Sequence, residues 1–321
     1  MLRLLQSLFG GGDKPGSYPE SLVKTAIERA VDGTDPWLRG VTGYRKKLRQ
    51  PVVRAIDHVV ALVDGLAPPL TLAPESFGND PRLPVFFLSG DHLRDFVQRD
   101  PTLAEFRRGT GNGPYRTVAL LAMEKREKAF FGAALSGEIL QRDVLQTAVG
   151  FEAHRLIDPA ATEEQCRRQL KRRAFDHLLG LALGRITGVK RERQQLERYR
   201  ALLQAKVDLL HRGGWGFNLG ETPEAPDVAA VEEQLCRIES QMLELGRDDR
   251  ILEVYLEIAT EVLGKPEAQL WMKQERLVVD QMGIKRREAV GDAREIRFDM
   301  LHNAEGRSLV LSLVELLPVR H

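Results

Sequence analysis

Residues 162–212, TEEQCRRQLKRRAFDHLLGLALGRITGVKRERQQLERYRALLQAKVDLLHR, and residues 227–263, DVAAVEEQLCRIESQMLELGRDDRILEVYLEIATEVL, are the stretches from which the fold is read. The first opens on Thr162 with Glu163 and Glu164 behind it, the signature of a capped helix start, and meets no proline before Arg212. Unbroken, a helix of about 50 residues would measure roughly 75 Å. Gly180, Gly184 and Gly188 interrupt it, and because glycine is about 1 kcal/mol less favourable than alanine inside a helix, they predict kinks or a division. In the second stretch Val231, Leu235, Ile238, Met242 and Leu245 alternate steps of four and three, the spacing of a coiled-coil seam. Leu252, Leu256, Ala259 and Leu263 resume the register after a break at Gly246 to Asp249, and Leu196, Tyr199, Leu203 and Leu210 supply the answering stripe.

The connector Gly213 to Pro226 lets these arms fold back antiparallel. Charge supports that pairing independently. Residues 160–213 carry 13 Lys/Arg against 6 Asp/Glu, whereas residues 221–261 carry 3 against 12. Exposed ion pairs are worth only about 0.2–1 kcal/mol each, so charge sets partner choice and orientation while apolar burial holds the arms.

Working outward, a Gly/Pro/Ser linker precedes a helix that Ser21 is placed to cap, with Leu22, Val23, Ala26, Ile27 and Ala30 on one face. Pro51 suits the first turn of a second helix bearing Val52, Ile56, Val59, Val60 and Val63. Pro84 to Leu88 reads as a short buried strand, and Ser89 begins a helix containing Leu93, Phe96 and Val97. Val118–Met123, Ala129–Leu135 and Leu145–Phe151 read as three strands of a meander, separated by the charged residues 124–128 and by Ser136-Gly137. At the C-terminal end, residues 295–302 and 308–316 form a hairpin around Asn303-Ala304-Glu305-Gly306, with Leu277-Val278-Val279 as a third strand.

The class expected is therefore α+β and predominantly helical: a long antiparallel coiled-coil-like helical hairpin with small antiparallel β elements in the middle and at the C-terminus. Its segments are a tail (1–20), a helical unit (21–66), a mixed segment (67–160), the hairpin (161–264) and a β-hairpin-containing segment (265–321).

Composition narrows function by exclusion. With 47 basic and 46 acidic side chains, a formal charge of +1 provides no global field for polyanions, and 43% hydrophobic with 29% charged residues argues against disorder and against a multi-span membrane protein. Cys166 and Cys236 form neither a CxxC nor a Cys/His cluster and are expected to be buried, reduced thiols, consistent with a cytoplasmic protein. Residues 1–9 are too short and polar for a membrane span; Leu2, Leu5 and Phe9 share a helical face that suits at most a peripheral membrane contact. Nothing matches HExxH, GxSxG, an EF-hand loop or a P-loop, the Gly-rich residues 109–113 included, so no metal and no cofactor is expected.

Three function classes remain. The first is a non-enzymatic scaffold or adaptor that binds another protein, or itself, through the hairpin, with Trp215, Phe217 and Leu219 at its tip as candidate contacts. A second is a nucleic-acid-associated protein using Arg167, Arg168, Lys171, Arg172 and Arg173, continued by Lys190, Arg191 and Arg193. Few aromatics lie nearby for stacking, and the acidic arm is a ready internal partner. The third is an enzyme whose site assembles from dispersed residues, with His92 and His154 as first candidates. Three aspartates directly precede histidines, at 57–58, 91–92 and 176–177, but neighbours on a helix point about 100° apart and form no catalytic pair.

Overall fold

The computed structural model describes residues 18–109, 116–136, 139–212, 228–246 and 250–317. The chain is α+β. Its elements are α1 (Glu20–Gly33), α2 (Tyr44–Asp64), β1 (Leu70–Leu72), α3 (Leu83–Phe86), α4 (Gly90–Arg99), α5 (Pro101–Gly109), β2 (Thr117–Ser136), β3 (Ile139–Ala160), α6 (Glu163–Arg212), α7 (Val228–Glu244), α8 (Ile251–Gly264), β4 (Leu270–Val279), β5 (Arg294–Asn303) and β6 (Ser308–Leu316). The described residues form two compact units: Ile56–Phe175 with residues 266–317, and residues 18–55 with Asp176–Lys265.

The first unit is built on a sheet of order β3-β2-β6-β5-β4, antiparallel throughout, with β1 added parallel to β6. The middle and C-terminal strands thus belong to one sheet. Val118, Leu120 and Ala122 join Leu311 and Leu313 on one face, with Val63, Cys166 and Leu170 from the helices. Ala119, Leu121 and Met123 join Phe151, Phe298 and Val310 on the other. Burial on both faces explains why residues 118–123 read as one apolar run without alternation.

The sheet's two outer strands are bridged by the turn after β4. Val149 N–H donates to the Gly283 carbonyl and Lys285 N–H to the Thr147 carbonyl, each at 2.8 Å, while Arg286 N–H donates to Val278 at 2.8 Å. Asp280 shapes that turn: its carboxylate accepts from the backbone of Met282 (3.0 Å) and Ile284 (2.9 Å) and pairs with Arg286 (2.7 Å).

Several sequence expectations are corrected here. The meander is two long strands, because residues 124–128 stay in β2. Lys125 there bonds Glu275 at 2.6 Å and lies 5.9 Å from the centre of the Phe298 ring, so the charged stretch keeps partners inside the sheet. Pro84–Leu88 is no strand; α3 takes its first three residues, with Pro84 in the first turn, where its missing N–H costs nothing. Pro51 lies inside α2, which begins seven residues earlier at Tyr44. Pro19, not Ser21, is the residue preceding α1. Other expectations hold: Ser89 Oγ caps α4 through His92 N–H at 3.1 Å, and Thr162 Oγ1 caps α6 through Gln165 N–H at 3.2 Å.

Helix α6 runs unbroken from Glu163 to Arg212, so Gly180, Gly184 and Gly188 do not divide it. A Cβ at any of the three would meet nothing within 4 Å. The helix is kept by apolar side chains before and between them, Leu178, Leu179, Leu181, Ala182 and Ile186, all buried. Leu203 and Val207 of α6 pack with Val231, Ile238 and Met242 of α7, flanked by Leu196, Leu210 and Leu235. Arg193 Nη1 donates to the Gly246 carbonyl just past the end of α7 at 2.7 Å. Lys190 holds the buried Asp35 carboxylate at 2.6 Å and lies 5.1 Å from the Tyr255 ring.

Candidate functional site

The site begins with an irregularity in β3. In its ladder with β2, Ala122 faces Arg155 whereas Glu124 faces Glu152, so two residues of β2 are matched by three of β3. Ala153 takes up the difference with φ +53°, a left-handed conformation uncommon for a side-chain-bearing residue. This bulge turns His154 toward α3 and α4.

His154 Nε2 donates to the Phe86 carbonyl at 2.7 Å, which leaves Nδ1 as the bare nitrogen. The ring stacks on Phe87 at 4.7 Å and meets Phe96 and His92 at 5.7 Å each. Burial pushes the His154 pKa down, with a smaller contribution from neighbouring His92, and outweighs the bond to Phe86. His92 Nδ1 in turn accepts the Leu88 N–H at 3.3 Å. The two histidines singled out in the sequence thus come together.

They line a cavity of about 750 Å³ within the first unit. The outer edge of β3 at Val149–His154 forms one wall, the segment Pro84–Leu88 another, and Val279–Gly283 with Asp292 and Arg294 the third. Asp280 is occupied by its turn, so Glu152, Asp292 and Arg294 carry the remaining charge. No Ser, Thr, Cys, Lys or Tyr stands among the described lining residues, and among the described residues no three His, Cys, Asp or Glu converge as metal ligands do. The cavity therefore collects two imidazoles and two carboxylates, groups that can accept or donate hydrogen bonds and protons.

Nearby Asp100 went unread in the sequence. Its carboxylate accepts from Leu103 N–H (2.8 Å), capping α5, and from Leu156 N–H (3.1 Å) in β3. An aspartate directly before Pro101 is a legible helix-start signal. The bulge at Ala153 has no comparable signature.

The basic cluster is largely engaged inside the fold. Arg167 donates to the Val63 and Leu66 carbonyls around the C-terminal end of α2 (2.6 and 3.1 Å) and pairs with Glu163. Arg168 pairs with Glu164, Lys171 with Asp64, and Arg173 with Asp158. Of the Asp-His dipeptides, Asp176 pairs with Arg29 at 2.5 Å, and His58 bonds the Leu270 carbonyl at 2.7 Å. The thiol expectation is half corrected: Cys166 is buried, its pKa pushed up by burial to about 12, but Cys236 is exposed on α7. Trp215, Phe217 and Leu219, residues 110–113 of the Gly-rich stretch and residues 1–9 lie outside the described residues.

On α6 the packing with α7 leaves a second apolar stripe exposed among the described residues. Leu202 and Leu209 are 64% and 70% exposed, with Tyr199 at 48%, and the exposed Arg198 and Lys206 flank them. Among the described residues no helix is long and apolar enough to cross a membrane. Comparison of the chain with family models, curated proteins and solved structures gives no match.

Proposed function

We propose that this protein is a cytoplasmic, non-enzymatic interaction protein whose α6–α7 pair acts as a coiled-coil-like helical hairpin and docks a partner helix. The observation that carries this reading is the uncovered stripe of Tyr199, Leu202 and Leu209. A surface helix ordinarily shows one apolar face, and α6 between residues 196 and 210 has a face packed on α7 and a further one in solvent. Leu202 and Leu209, one heptad apart, lie on the same side of the helix, so they would grip a partner as paired anchors.

The basic flank suits an acidic amphipathic helix, from another protein or from a second copy, whose α7 exposes Leu243 beside Glu239. Engagement of Arg167, Arg168, Lys171 and Arg173 with carboxylates within the fold supports a protein partner over nucleic acid. The tip residues Trp215, Phe217 and Leu219 extend the same proposal.

The test compares the intact protein with a Leu202→Glu, Leu209→Glu variant by light scattering over a concentration series and by nuclease-treated capture. Loss of self-association or of a protein partner, with the melting temperature unchanged, supports the reading. Identical assembly and capture by both proteins would sink it.

A further inference from the structure

An uncovered sheet edge recruits another strand. β3 is an edge strand, and its outer side is covered on both flanks of the cavity: Thr147 and Val149 bond to Lys285 and Gly283, and Leu156 N–H bonds to Asp100. Residues 150–153 lie between these covers and line the cavity. Backbone groups of a strand alternate sides with period two, and the ladder with β2 is regular from residue 144 to residue 152. Phe151 therefore directs its N–H and C=O the same way as Thr147 and Val149, off the edge and into the cavity. Among the described residues, no backbone group outside the β2–β3 ladder bonds to either.

The lips of the cavity are apolar and solvent-facing: Leu88 is 92% exposed and Met282 81%. Around them Glu152 shares the Arg126 guanidinium with Glu124, Asp280 is paired with Arg286, and Arg294 balances Asp292, so the rim keeps a net negative charge at Glu152. Backbone hydrogen-bonding groups, a pair of exposed apolar lips and an acidic rim are the elements of strand-addition recognition, in which the main chain supplies affinity and alternate side chains supply specificity.

The geometry points to the β3 edge at Phe151 as a docking groove for an extended peptide segment with an apolar residue flanked by basic ones. The segment pairs with Phe151, seats its apolar side chain between Leu88 and Met282, and sets its basic side chains against Glu152 and Asp292. The paired length is short, because the turn at Gly283 closes one end and the Ala153 bulge breaks the ladder at the other. The groove lies in the first unit and is independent of the α6–α7 stripe.

The test titrates the full-length protein with the capped peptide Ac-Lys-Leu-Val-Leu-Lys-NH2 and with the same peptide N-methylated at alternate residues, by calorimetry and amide hydrogen exchange. Expected are binding of the unmodified peptide, slowed exchange of the Phe151 amide, and affinity weakened roughly tenfold or more by N-methylation. Leu88→Asp and Met282→Asp should each weaken binding without moving the melting temperature. Equal affinity of the two peptides, no binding up to about 5 mM, or binding indifferent to both substitutions would overturn the proposal. So would a groove that takes nicotinamide, a small aromatic amide, in preference to either peptide.

Discussion

Asp100 joins two elements through one carboxylate, accepting the Leu103 N–H that starts α5 and the Leu156 N–H of β3. Loss of a helix cap costs about 1 kcal/mol and a buried N–H left without a partner about 1–3 kcal/mol, so Asp100→Ala should lower stability by roughly 2–4 kcal/mol in urea unfolding. His154 acts at the same scale through protonation. Its folded pKa lies below the ordinary value of 6.5, so the unfolded chain takes up a proton first as pH falls. Stability is then full above about pH 6.5 and falls as the pH drops from there through the folded pKa. The urea midpoint should fall between pH 7.5 and 5.5, and His154→Gln should flatten that fall; an unchanged slope would remove His154 from the titration. The sequence marked both histidines as candidates, but their meeting depends on the bulge at Ala153, a backbone conformation that residue identity does not announce.

At the scale of elements, periodicity located what packing later stabilised and failed where packing overrode propensity. The α7 stripe was legible because Val231, Ile238 and Met242 recur at helical spacing and are buried, whereas the α6 stripe was read only in part: Leu203 is buried there, Tyr199 is exposed instead, and the buried Val207 went unread. The glycines of α6 were misread as breaks because propensity is a small local penalty, whereas Leu178, Ala182 and Ile186 bury their side chains on the same helix. That outcome has a use. Gly180, Gly184 and Gly188 are exposed, and an added Cβ at each meets open space, so the triple Gly→Ala variant should gain about 0.5–1 kcal/mol per site and melt at higher temperature. A lower melting temperature would mean that the glycines serve a requirement other than helix formation. Residues 124–128 were misread in the opposite direction: five charged residues in a row look like a loop until Glu275 of β4 is brought within reach of Lys125.

At the scale of the whole molecule, the α+β class and the C-terminal hairpin were legible, but the joining of middle and terminal strands was not. β2 and β6 pair Val118 with Glu315 and Met123 with Val310, contacts between residues almost two hundred positions apart that no local pattern encodes. The bridge between the outer strands was equally hidden, since it rests on Asp280 holding a turn against β3. Asp280→Ala should release that turn, and the Val149 and Lys285 amides should then exchange roughly tenfold faster while the α6 amides keep their protection. The chain order of the sheet also has a consequence in time. β6, which pairs with β1, β2 and β5, is the last of the described strands to leave the ribosome. Roughly 150 residues separate the end of β3 from the start of β6, so at about 5–20 residues per second the nascent β2–β3 ribbon waits roughly 7–30 s for its central neighbour. During that interval the apolar run Val118–Met123 has no lasting partner on its inner edge and is open to pairing with a wrong strand.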